Sequence, residues 1–171
     1  MDKKELGFGI IGCHMGMSHI AGLKACKGGK LIVICDKKED VLNKAMENTN
    51  LSKENCYTDY RDLIKRSDID VVVVATPDQL HQEHTIAALE AGKHVLCEKP
   101  MAISTEECKQ MIAASEKTGK KLMIGQIGRY TPGFINAKKL IDRGEIGDLF
   151  FVESEYAHDY SHISGVDNWR I

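Results

Sequence analysis

Lys99 stands between Glu98 and Pro100, directly after the apolar run His94-Val95-Leu96-Cys97. That run has the length and flanks of a buried strand, so the lysine falls at a strand's carboxyl end. Open α/β sheets bind their ligands at that end. A lysine amine held there can take a proton from a substrate hydroxyl, or return it. The bland alternative is an exposed loop lysine paired with Glu98. Pro100 argues against it, because it stiffens the backbone directly after the lysine.

Two upstream signals point to the same sheet edge. Gly7-x-Gly9-x-x-Gly12 matches a dinucleotide fingerprint literally, but most of it lies inside the first strand. The physical turn is Gly12-Cys13-His14-Met15-Gly16, between strand and helix. His14 takes the place where a second glycine normally lets the backbone approach a pyrophosphate, and the turn is one residue short. Histidine tolerates positive φ only moderately, so weaker or altered phosphate binding is expected. Taken alone, the segment could be a plain tight turn with no ligand. Asp36 follows the apolar run Leu31 to Cys35, twenty-four residues after Gly12. An acid near that spacing hydrogen-bonds a ribose 2′-hydroxyl and repels a 2′-phosphate, which favours NAD over NADP. Lys37 and Lys38 are the counterargument, since either could pair with a 2′-phosphate. Asp36 could also be a loop residue that caps Lys37 to Asp40.

Thr76 and Pro77 end the run Val71 to Ala75 and can face the nicotinamide half of such a cofactor. His81, near the next helix start, is a further candidate; capping or solvent exposure is its bland reading. His158-x-x-x-His162 would need a helix to join its imidazoles, and nothing around it argues for one, so no metal site is expected. Cys13 has no partner base in view and is not expected to act as a nucleophile.

The elements that position these residues alternate. Strands are predicted at Leu6 to Ile11, Leu31 to Cys35, Val71 to Ala75, His94 to Cys97 and Lys121 to Gly125. Val71-Val72-Val73-Val74 is apolar on both faces, as a central parallel strand requires. Helices are predicted between them, with Asp59 and Ser104 as caps and Gly92 as a stop. Asn50 to Tyr57 reads as loop. A further helix opens at Thr131-Pro132 and ends near Gly144. The alternation predicts an α/β fold with a doubly wound parallel sheet. Leu149 to Tyr156 reads as a longer strand whose later part alternates in polarity. It suits the opening of a truncated second α/β domain. The expected division is 1–125 for the nucleotide domain and 126–171 for a connecting helix and first strand.

The 171 residues carry 23 basic and 25 acidic side chains, so a nucleic-acid surface is not expected. No apolar run nears the roughly 20 residues of a membrane span. The six cysteines form no C-x-x-C pair and no secretory signal precedes them, so reduced thiols and a cytoplasmic protein are expected.

Together, Gly9 to Cys13, Cys35-Asp36, Val74 to Pro77 with His81, Ala91 to Pro100 and Gly144 to Gly147 resemble the glucose–fructose oxidoreductase / inositol dehydrogenase / MocA family. The likeness runs from residue 6 to about 156. It implies a Rossmann domain followed by an α/β domain with a large open sheet. It implies NAD(P)-dependent hydride transfer to or from a hydroxyl of a sugar or cyclitol, with a homo-oligomer expected at full length. By the same likeness Lys99 is the catalytic lysine, and Lys99-Pro100 a cis peptide. Thr76, His81 and Glu98 line the nicotinamide side, and Gly12, Gly16 and Asp36 hold the adenosine side. Arg129 and Tyr130 match a region lining the substrate cleft. The family's later D-x-x-x-H motif does not occur before Ile171, so this chain is expected to be inactive alone. Two other readings keep the fold: an NAD-dependent glycoside hydrolase, and a non-catalytic nucleotide-binding module.

Overall fold

Leu6–Ile11 (β1), Gly29–Cys35 (β2), Cys56–Tyr57 (β3), Val71–Val74 (β4), His94–Cys97 (β5) and Leu122–Ile124 (β6) form one sheet. Its order is β3-β2-β1-β4-β5-β6, and every ladder is parallel. This is the doubly wound order of the Rossmann fold, in which the chain reverses direction across the sheet between β1 and β4. The structure is a computed structural model and describes residues 5–155 and residue 157. The chain divides into two compact units, one up to Gly125 and one from Gln126.

In the first unit the helices are Cys13–Ala25 (α1), Glu39–Thr49 (α2), Tyr60–Ile64 (α3), His81–Glu90 (α4) and Thr105–Thr118 (α5). Successive strand side chains point to opposite faces. Val73 accordingly packs with Ile10, Ile34, Ile20 of α1 and Leu42 of α2. Val72 and Val74 pack with Leu63 of α3, Leu89 of α4 and Met111 of α5. Val72 and Val74 are completely buried and Val73 nearly so, which explains the unbroken valine run.

The caps act where the sequence places them. Asp59 accepts from the Arg61 amide at 2.8 Å. Ser104 Oγ accepts from Glu107 N at 3.2 Å, while Glu107 Oε2 reaches back to the Ile103 amide rather than to that of Ser104. Two readings are corrected. The predicted loop Asn50 to Tyr57 contains β3, a two-residue strand made by pairing with Ile34 and Cys35 of β2. Residues 149–155 form no strand. A strand needs a ladder with a neighbour, and among the described residues nothing pairs with this stretch; Phe150 is 99% exposed. In the second unit, helix α6 spans Pro132–Asp142, with Thr131 as N-cap and Pro132 at its first position.

Candidate active site

The expected site residues of the first unit cluster at the carboxyl ends of β1, β2, β4 and β5. After Ile11 the chain turns on Gly12, whose φ is +92°. A Cβ there would lie 2.4 Å from the Ala75 carbonyl oxygen, so only glycine fits. Gly7, by contrast, serves packing inside β1, where a Cβ would lie 2.0 Å from Asp68 O. Helix α1 starts immediately at Cys13. Gly16 is buried, and its amide already donates to Gly12 O at 3.1 Å. His14 is exposed in the helix's first turn, and Asn50 is the one non-glycine with positive φ among the described residues. The anticipated strain at His14 therefore does not arise, because His14 already lies inside helix α1, which starts directly after Gly12. The first amides of a helix lack intrahelical acceptors. That leaves the His14 and Met15 amides at the positive end of the helix dipole, a setting that suits an anion.

Asp36 closes this turn from the neighbouring strand. Its Oδ2 accepts from the Cys13 amide at 2.8 Å, and its Oδ1 accepts from the Lys38 amide at 2.9 Å. The carboxylate thus caps α1 and shapes its own loop at once. Burial first, then the Asp36 charge, pushes the thiol of Cys13 beneath it up to about 12. All six cysteines are free.

At the end of β5, Glu98 is held on both oxygens. His19 Nε2 of α1 lies 2.8 Å from Oε1, and the Lys99 amide donates to Oε2 at 3.1 Å. Lys99 is exposed, and its amine makes no hydrogen bond or ion pair among the described residues. The Lys99-Pro100 peptide is cis. His81 is completely buried beneath this segment. Its Nδ1 lies 2.7 Å from Pro100 O and its Nε2 lies 2.9 Å from Thr76 O. Pro77 is exposed, and Thr76 Oγ1 lies 3.2 Å from His84 Nδ1. Burial pulls His84 down to about 4, so its ring is neutral at pH 7.

His19 and His84 escaped the sequence reading, although a signal existed. His19 falls three residues after buried Gly16 and one before buried Ile20, on the inward stripe of α1. His84 follows His81 by one helical turn. A second lysine of the same stretch, Lys93, does a different job beyond the opposite end of β5. It is buried, and its ammonium donates to Arg66 O at 2.6 Å and Ile69 O at 2.9 Å. Arg129 and Tyr130 belong to the second unit, in the short turn Ile127–Tyr130, and both are exposed. His158 and His162 lie outside the described residues, and no metal-ligand cluster occurs among the described ones.

Residues 6–126 match a family described as an oxidoreductase family with an NAD-binding Rossmann fold. The chain belongs to this Gfo/Idh/MocA family. It is 34% identical over 151 residues to inositol 2-dehydrogenase of Salmonella typhimurium, covering 86% of this chain and 45% of that protein. It is 34% identical over 166 residues to a glycosyl hydrolase family 109 protein of Shewanella baltica, covering 93% of this chain and 36% of that protein. Its fold matches the WlbA dehydrogenase of Bordetella pertussis, solved with NADH and UDP-GlcNAcA, with a TM-score of 0.78 and 29% identity. That match covers 84% of this chain and 44% of the other. The chain spans about half the length of these relatives, or less. No helix among the described residues is long and apolar enough to cross a membrane.

Proposed function

We propose that this chain is the nucleotide-binding part of an NAD-dependent oxidoreductase acting on a hydroxyl of a sugar or cyclitol. The observation that carries the reading is Lys99: an exposed amine at the end of β5, without a partner among the described residues, between two residues that are both tied down. The residues present fit a dinucleotide. Gly12 lets the turn close against the Ala75 carbonyl, the His14 and Met15 amides have no acceptor among the described residues, and Asp36 stands at the end of the next strand. Gly12, His14 and Gly16 would border the pyrophosphate and Asp36 the adenosine ribose. Thr76, Pro77, His81 and Glu98 would form or support the nicotinamide side.

A bound nicotinamide ring would supply the hydride acceptor or donor. The chain's own part is the proton. Lys99 Nζ takes it from the substrate hydroxyl in oxidation and returns it in reduction. Arg129 and Tyr130 would contribute to substrate binding. The reading makes 1–125 the cofactor domain and 126–171 the start of a substrate domain.

A second reading has its own support, since the family 109 relative matches over more of this chain than the dehydrogenase does. Incubating the full-length protein with NAD and a panel of cyclitols, sugars and aryl glycosides separates the two. One NADH per substrate consumed supports the dehydrogenase. Glycoside cleavage with no net NADH supports the hydrolase. Neither activity, with NAD bound, points to a non-catalytic nucleotide module.

A further inference from the structure

The hydrogen bonds around Lys99 come from two directions. Helix α1 packs on the sheet face that carries Val73, and α4 packs on the face that carries Val72 and Val74. From α1, His19 holds Oε1 of Glu98, the residue before the lysine. From α4, His81 reaches the carbonyl of Pro100, the residue after it. The second nitrogen of His81 meets Thr76 O, so one ring joins the end of β4 to the segment after β5. A neutral imidazole donates to one of these carbonyls at a time and an imidazolium to both. The lysine amine itself makes no hydrogen bond or ion pair among the described residues that could fix its position.

We infer that His19 and His81 are positioning residues that pin the Glu98-Lys99-Pro100 segment from opposite faces of the sheet. The inference rests on the chemical role given to Lys99 above. The two histidines differ in surroundings. His19 is 22% exposed and Glu98 14%, so their contact is accessible to perturbation without opening the core. His81 is fully buried, so its removal risks wider damage. The link from α1 has a further consequence. The helix whose first amides face the expected phosphate site is the helix that holds Glu98. Cofactor seating and lysine placement therefore share one rigid element.

Hydrogen exchange on the full chain, read by mass spectrometry with NAD absent, tests the pinning without any turnover. His19→Ala removes one donor to Glu98 and should raise exchange of residues 98–103 about tenfold, the scale of one lost hydrogen bond. Strands β1 and β4 should stay protected. His19→Gln keeps a donor and should recover most of the protection. His81→Phe keeps a ring but removes both nitrogens, and should also raise exchange at 98–103 selectively. Unchanged exchange in His19→Ala overturns the inference. So does a rise spread evenly over the sheet, which marks a merely structural residue; for His81→Phe the same result removes that residue from the pair. With substrate, His19→Ala in the full-length protein should lower kcat about tenfold while NAD affinity stays within about twofold. Normal turnover in Lys99→Met would defeat the chemical role of the lysine but not the pinning read by exchange.

Discussion

Lys93 and Lys99 lie six residues apart beyond opposite ends of strand β5, and the same substitution should separate stability from chemistry. Lys93→Met keeps much of the aliphatic stem but removes the donor to Arg66 O and Ile69 O. Each carbonyl left unsatisfied costs about 1–3 kcal/mol. Losing the buried ammonium offsets part of this, because its own desolvation already holds the Lys93 pKa below the ordinary lysine value. A net loss of about 3 kcal/mol remains, which lowers the melting temperature of a domain of this size by about 10 °C. Lys99→Met deletes an exposed amine with no bonds among the described residues, so stability should change by less than about 0.5 kcal/mol. NAD affinity should hold, and turnover should fall about 100-fold or more. Thermal unfolding, NAD titration and steady-state kinetics on the full-length protein give all three readings. A Lys93→Met protein that melts with the wild type refutes the hydrogen-bond reasoning. A Lys99→Met protein with near-normal turnover refutes the proton role.

Asp36 should make NAD bind more tightly than NADP, and Asp36→Ala should erode that preference while costing about 1 kcal/mol through the lost cap on α1; tighter NADP binding by the wild type would assign the choice to Lys37 or Lys38. His84 should add acid sensitivity. Burial lowers it from 6.5 to about 4, so between those values the unfolded chain binds more protons and stability falls as pH falls, by at most about 3 kcal/mol. The stability gap between wild type and His84→Gln, from urea midpoints at pH 7 and pH 4.5, should therefore shrink at the lower pH; a constant gap would refute the burial argument.

Much of this fold is written locally. The caps Asp59 and Ser104 act through neighbours in sequence, and the valine run and the glycine before α1 stand out by residue type, so pattern alone locates strands, helix starts and the turn. Lys99, Gly12 and Asp36 follow, because a parallel sheet fixes which strand ends share an edge. What pattern cannot supply is a partner. Residues 149–155 have the alternation of a strand and no ladder, whereas Cys56-Tyr57 is a strand because β2 lies beside it. His14 shows the same limit on a smaller scale. Its place in a glycine pattern suggests strain, but where the helix starts decides its φ. His81 has the composition of a site residue, yet packing of α4 on the sheet places its ring beneath the lysine segment, with both nitrogens on carbonyls. His19 meets Glu98 across seventy-nine residues. Only tertiary packing makes that contact, because the two residues sit on elements that meet where three strands, β1, β4 and β5, lie side by side.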